Sequence, residues 1–144
     1  MANFNQLIWL LEGLGFELLN LRKLCVHSNK LTHLPYSSSH MMSLRFLDVH
    51  TNRLGGLPED LENLMNLEYL DLSSIFNYMV SLLEPIRGLT SLIELNINYN
   101  QITAFPVSIG CLEKLQFIKV EGDPLVVPPP EVVDQGLDAI KEYI

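Results

Sequence analysis

The stretch LRFLDVHTNRLGGLP, residues 44–58, spaces its leucines and valine at offsets that fit neither a helix of period 3.6 nor a strand of period 2. Asn52 sits in the middle of that apolar set. The same wording recurs along the chain. LRKLCVHSNKLTHLP begins at Leu21, LEYLDLSSIFNYMVSLLEPI at Leu67, LIELNINYNQITAFP at Leu92 and LQFIKVEGDPLVVPP at Leu115, so successive units are spaced by 23, 23, 25 and 23 residues. A fixed period of this size has to be settled before any local reading, because it signals a stacked array.

The pattern is that of the leucine-rich repeat, L-x-x-L-x-L-x-x-N-x-L followed by x-x-L-P. The expected fold is an α/β leucine-rich repeat solenoid of about five repeats. A curved parallel sheet would form its concave face, and helical or 3₁₀ turns its convex face. Residues 21–128 hold the repeats, 129–144 a C-terminal capping helix, and 1–20 a degenerate half repeat or cap. The cap reading rests on prolines that stop the last repeat and on Val133, Leu137, Ile140 and Ile144 falling on one helical face. An N-terminal edge covered only by Leu7, Trp9 and Leu10 would be a route to self-association.

The period gives the asparagine its role. Where the chain turns inward after each strand, backbone groups lose their ladder partners away from water, and an unsatisfied group there costs about 1–3 kcal/mol. A carboxamide donates and accepts at once, so Asn29, Asn52 and Asn100 are expected to stack as a structural ladder. Asp123 holds the place in the last unit. Ile75 holds it in the third, with Asn77 as the expected substitute two residues on.

Between the leucines lie the residues of the inner face, in three columns. Lys23, Phe46, Tyr69, Glu94 and Phe117 form the first; Cys25, Asp48, Asp71, Asn96 and Lys119 the second; His27, His50, Ser73, Asn98 and Glu121 the third. Five strands about 4.8 Å apart make a surface roughly 20 Å wide, the scale of a protein-binding patch. The residues assigned to protein binding are Phe46, Asp48, His50, Tyr69, Asp71, Glu94, Asn96 and Phe117, with the aromatics as anchors. Asp48 and Asp71 are expected side by side, a like-charge pair that a basic partner group would relieve.

The first two strands also set Cys25, His27, Asp48 and His50 in a square of zinc-ligand types. Metal sites draw more often on closer-set or more flexible loops, so no metal and no cofactor is assigned. Cys25 and His27, two apart on one strand, stand too far apart for the direct proton transfer that nucleophilic catalysis needs. No G-x-x-x-x-G-K-[ST] phosphate loop occurs. The chain reads as non-enzymatic.

Composition agrees with this class. Forty-eight per cent of the 144 residues are hydrophobic, enough for one domain with a core. A net charge of −8 argues against nucleic acid, whose binding needs a basic face. The apolar run LIWLL is too short for a signal peptide or membrane span, and no N-x-[ST] acceptor occurs, so the expectation is cytoplasmic.

Three phrases carry a closer resemblance: LLNLRKLCVHSNKLTHLP (18–35), SLRFLDVHTNRLGGLPEDLENLMNLEYLDLSS (43–74) and DPLVVPPPEVVDQGLDAIKEY (123–143). With the 23-residue unit and its LP, they resemble the plant branch of the intracellular Ras-group leucine-rich repeat proteins, over residues 16–144. The resemblance implies a scaffold whose concave face binds proteins, a link to small-GTPase signalling, and no catalysis. Such proteins carry about twice as many repeats, so the chain resembles a shortened member. The alternatives are a leucine-rich fragment of an immune-type receptor, and metal or thiol chemistry at the Cys25 square.

Overall fold

A computed structural model of the chain describes residues 19–34, 36–75 and 84–144. Five strands, β1 Lys23–Cys25, β2 Phe46–Asp48, β3 Tyr69–Asp71, β4 Glu94–Asn96 and β5 Phe117–Lys119, form one parallel sheet in sequence order. Leu24, Leu47, Leu70, Leu95 and Ile118 are Cα partners from rung to rung, so the repeat expected from the spacing is borne out as a solenoid. The two extra residues of the third unit leave the β3–β4 register intact.

Each strand is short because only its middle leucine points inward before the chain must turn. Bonds beyond the strands extend the ladder: Val26 N–H donates to Asp48 C=O, Leu72 to Asn96 and Ile97 to Lys119, each at 2.8–2.9 Å. Each coil then bends at a residue with positive φ, namely Ser28, Thr51, Ser74, Tyr99 and Gly122. Four of these are not glycine and accept the strain of the left-handed region. At Gly122 a Cβ would lie 2.2 Å from the Tyr99 ring, so this position combines a φ of +75° with a ring packed where a side chain would go.

The chain returns along the convex side through 3₁₀ helices at Tyr36–His40, Glu59–Asn63, Glu84–Gly88 and Val107–Cys111. Their apolar members Leu61, Ile86 and Ile109 are fully buried, facing the strand leucines across one continuous core. The strand regions of β3 and β4 are closed to solvent on their inner side: Leu67, Leu70, Leu72, Leu92, Leu95 and Ile97 are all 0% exposed. Burying each such side chain contributes about 1.5–3 kcal/mol.

At the C-terminus the expected single helix is two, Pro130–Val133 and Leu137–Tyr143, separated by Gly136 at φ +99°. Ile140 is buried, with Val133, Leu137 and Ile144 packed against the core. Lys141 Nζ donates to the Leu112 carbonyl. Asn77 and the N-terminal segment with Leu7, Trp9 and Leu10 lie outside the described residues.

The polar ladder runs through the interior beside the strands. Asn52 Nδ2 donates to Val49 C=O in its own coil (2.7 Å) and Val26 C=O in the preceding one (3.1 Å), while its Oδ1 accepts from Leu31 N–H (3.1 Å). Asn100 repeats this with Ile97 C=O (2.9 Å), Leu72 C=O (2.7 Å) and Ile75 N–H (2.8 Å). Asn29 donates to Val26 C=O at 2.7 Å. Ile75, seated in the third coil, joins only through its backbone N–H.

Candidate functional site

Because strand side chains alternate, the residues flanking each buried leucine project from the concave face, and the sheet register fixes who meets whom. In the first column Lys23 Nζ sits 4.2 Å above the Phe46 ring, and Phe46 stacks on Tyr69 with centroids 4.2 Å apart and planes 3° from parallel. Both faces of Phe46 are therefore taken, one by Lys23 and one by Tyr69, and Tyr69 spends one face on Phe46. Phe117 stands apart on β5, 56% exposed.

In the third column His27 and His50 stack at 4.4 Å and 11°. His27 Nδ1 lies 3.2 Å from Ser28 Oγ, and His50 Nδ1 lies 2.6 Å from Asp48 Oδ1. Asp48 also accepts the His50 backbone N–H at 3.2 Å, which ties the carboxylate to its own strand.

Asp71 is the polar centre of the face. It is only 7% exposed, and four neutral donors hold it: Ser73 N–H (2.9 Å) and Ser73 Oγ–H (2.6 Å) on Oδ1, Tyr69 O–H (3.2 Å) and Asn96 Nδ2–H (3.1 Å) on Oδ2. These donors compensate the burial of a charge that otherwise costs several kcal/mol. The Tyr69 phenol is pushed well above its ordinary pKa, first by its own burial and then by the Asp71 charge beside it.

Beyond Asp71 the face changes character. Lys119 Nζ pairs with Glu94 Oε1 at 2.7 Å, and the hydrogen bond to that carboxylate holds the ammonium's pKa up. Asn96 Oδ1 accepts from Asn98 N–H, and Asn98 Oδ1 from Glu121 N–H. Of the eight residues assigned to binding, the structure brings Phe46 with Tyr69, and Asp48 with His50 and Asp71. It draws Asn96 to Asp71, ties Glu94 to a lysine, and leaves Phe117 alone at the far end. Lys119 and Ser73 were placed on the face by the repeat but given no role. The signal for them was the neighbouring-strand register, which puts Lys119 beside Asn96 and two register positions from Glu94, on the same face.

The expected square of Cys25, His27, Asp48 and His50 does not form an open site. Cys25 is 6% exposed, and burial raises its thiol pKa, so the thiolate a nucleophile or zinc ligand requires is disfavoured. The ligand-type atoms that gather instead are those of Asp48, His50 and Asp71, within 4.8 Å of one another. Asp71 already fills its acceptor positions with four donors, so an ion there would have to displace one of them.

Comparison with known proteins agrees with the geometry. The Leucine Rich Repeat family profile matches residues 43–64 and 91–112. A 35-residue stretch is 54% identical to Plant intracellular Ras-group-related LRR protein 1 of Oryza sativa subsp. japonica; it is 24% of this chain and 10% of that protein. A leucine-rich repeat protein of Leptospira interrogans superposes with a TM-score of 0.74 at 29% identity, over 83% of this chain and 30% of its own. The Arabidopsis receptor kinase HAESA, solved in complex with the peptide hormone IDA and the co-receptor SERK1, gives 0.60 at 25% identity, over 74% of this chain and 18% of its own. The chain spans less than a third of the length of each of these proteins.

Proposed function

The chain is a leucine-rich repeat protein, and from that premise we propose that it is a non-enzymatic scaffold whose concave face binds another protein. The observation that carries this is the face itself: five in-register strands present Phe46, Tyr69, His50 and Phe117 on a rigid floor that no other described element covers. Rings held by stacking lose little further freedom on binding, which is what makes an aromatic anchor effective. Repeat arrays use such curved faces for partners.

Two finer points rest on relatives. The Ras-group-related name of the rice protein supports a partner in small-GTPase signalling, and its intracellular designation supports cytoplasmic residence. Among the described residues no helix is long and apolar enough to cross a membrane. The HAESA complex supports a receptor-type alternative, in which the occupant is a peptide.

The test is binding, with alanine at Phe46 and Tyr69 against a control pair on the convex side, Glu59→Gln and Glu62→Gln. The scaffold reading expects a captured partner, or a small GTPase loaded with GTP analogue or GDP, to lose at least tenfold in affinity with the first pair only. Equal binding by both pairs would remove the concave face from the interaction.

A further inference from the structure

The inner face is not uniform in charge. Among the described residues the lysine and arginine ion pairs are Arg45–Glu68 and Lys119–Glu94, and neither brings a lysine or arginine to Asp48 or Asp71. The two carboxylates are Cα partners on adjacent strands, one strand spacing apart. Neutral donors hold Asp71, and the His50 imidazole is the one basic group that meets Asp48. The lysines of the face are spent elsewhere, Lys23 over Phe46 and Lys119 on Glu94. The middle of the sheet therefore carries negative charge held by hydrogen bonds, with no lysine or arginine in ion-pair contact among the described residues; Lys119, paired with Glu94, feels the Asp71 charge only from a distance.

The shape around this charge is equally specific. Side chains two apart on a strand share a face and lie about 7 Å from each other. The Phe46–Tyr69 stack thus runs along one side of the carboxylate column and the His27–His50 stack along the other. The result is a strip of carboxylates flanked by rings, with Tyr69 O–H reaching in to Asp71 and His50 Nδ1 to Asp48.

We infer that this strip takes an arginine side chain presented by an extended segment of a partner protein. Three features select it. A guanidinium is planar and has five donors, so it can bond Asp48 Oδ2, since the donors on Asp48 fall on Oδ1, while the saturated Asp71 beside it contributes charge and no open acceptor. Its alkyl stem packs against the flanking rings while the charged head reaches the carboxylates. The chain's net charge of −8 draws a basic segment in from a distance. Stacking of the arginine on Phe46 is not part of the fit, because both faces of that ring are already engaged.

This inference rests on the scaffold reading and deepens it, so the experiment must separate the two. A random-peptide phage library is selected on the whole chain, and enriched peptides are tested against the Asp48→Asn/Asp71→Asn and Phe46→Ala/Tyr69→Ala double variants. The Glu59→Gln/Glu62→Gln double variant serves as control, since it removes the same charge from the convex side. Thermal melts establish that each variant folds, the near-isosteric amides being chosen for that purpose. The expected result is an arginine at a fixed peptide position. Affinity should fall at least tenfold with the aspartate variant or when that arginine is replaced by citrulline, fall less with lysine, and change under twofold with the control.

Peptides that lack a basic residue, or that bind the aspartate variant undiminished but lose binding with the aromatic one, would overturn the arginine and leave the scaffold standing. Binding that requires Zn²⁺ and disappears with chelator would overturn it in favour of a metal. If no enriched peptide responds to either inner-face variant, both readings fall.

Discussion

The coil around Asn100 and the coil around Asp123 present the same seat to the chain and fill it differently. At Asn100 the amide accepts Ile75 N–H and donates to Ile97 and Leu72 carbonyls, so every arm of the side chain has a partner in its own or the preceding coil. At Asp123, Oδ1 does the accepting for two donors, Asn100 N–H (2.8 Å) and Ile102 N–H (3.0 Å). Oδ2 stands where the amide nitrogen would be, buried and without a hydrogen-bond partner. Its burial raises the carboxyl pKa above the ordinary 3.8, against the backbone N–H groups of Ile102, Asn100 and neighbouring Gln101, which pull it down. An acid can therefore finish the ladder as an acceptor, but it cannot serve as a full rung.

That contrast can be broken first by packing. Leu70→Ala in the closed middle of the stack should cost about 3 kcal/mol by denaturant unfolding, whereas Ile118→Ala on the part-exposed last strand should cost about half as much. Equal costs would mean that the last coil is as closed as the middle. Next comes the rung itself: Asn100→Ala leaves two carbonyls and an N–H without their amide, and should lose about 2 kcal/mol by the same measurement.

A smaller effect is expected at the turn just before Asp123. Gly122→Ala should lose about 1 kcal/mol or more, from positive φ and from the Tyr99 ring in the Cβ position. Tyr99→Ala should return the packing part of that loss and not the backbone part.

The smallest and most specific change is Asp123→Asn, expected to gain about 1 kcal/mol at neutral pH by supplying the missing donor. Its sign with pH follows from the raised pKa. The folded chain holds this proton more tightly than the unfolded one, so the contribution is complete below 3.8 and is lost as pH rises through the folded value. Thermal melts across that window should show a gain for the amide that grows with pH; a gain independent of pH would assign the effect elsewhere.

The fold was largely legible because each unit states its own geometry. Five leucines in phase require five rungs, and the asparagines mark where the chain leaves them. The inner face was legible as a set of positions but not as a set of contacts. Nothing in the strand pattern says that Cys25 is closed off by its neighbours, that Lys119 is committed to Glu94, or that four donors surround Asp71. Such details depend on side-chain lengths meeting across strands, which a period of 23 does not encode. The packing of Val133, Leu137, Ile140 and Ile144 on the core was legible as an apolar face, while the division of that segment at Gly136 depends on one residue adopting φ +99°.

The third unit's two extra residues, passed without disturbing the partners Leu70 and Leu95, carry a consequence for how such a chain varies over generations. Because inter-coil bonds join nearest neighbours, an insertion or deletion between rungs is a local event, and copying or losing a whole unit leaves the remainder able to fold. Selection can then rewrite the grip one ring at a time without renegotiating the frame.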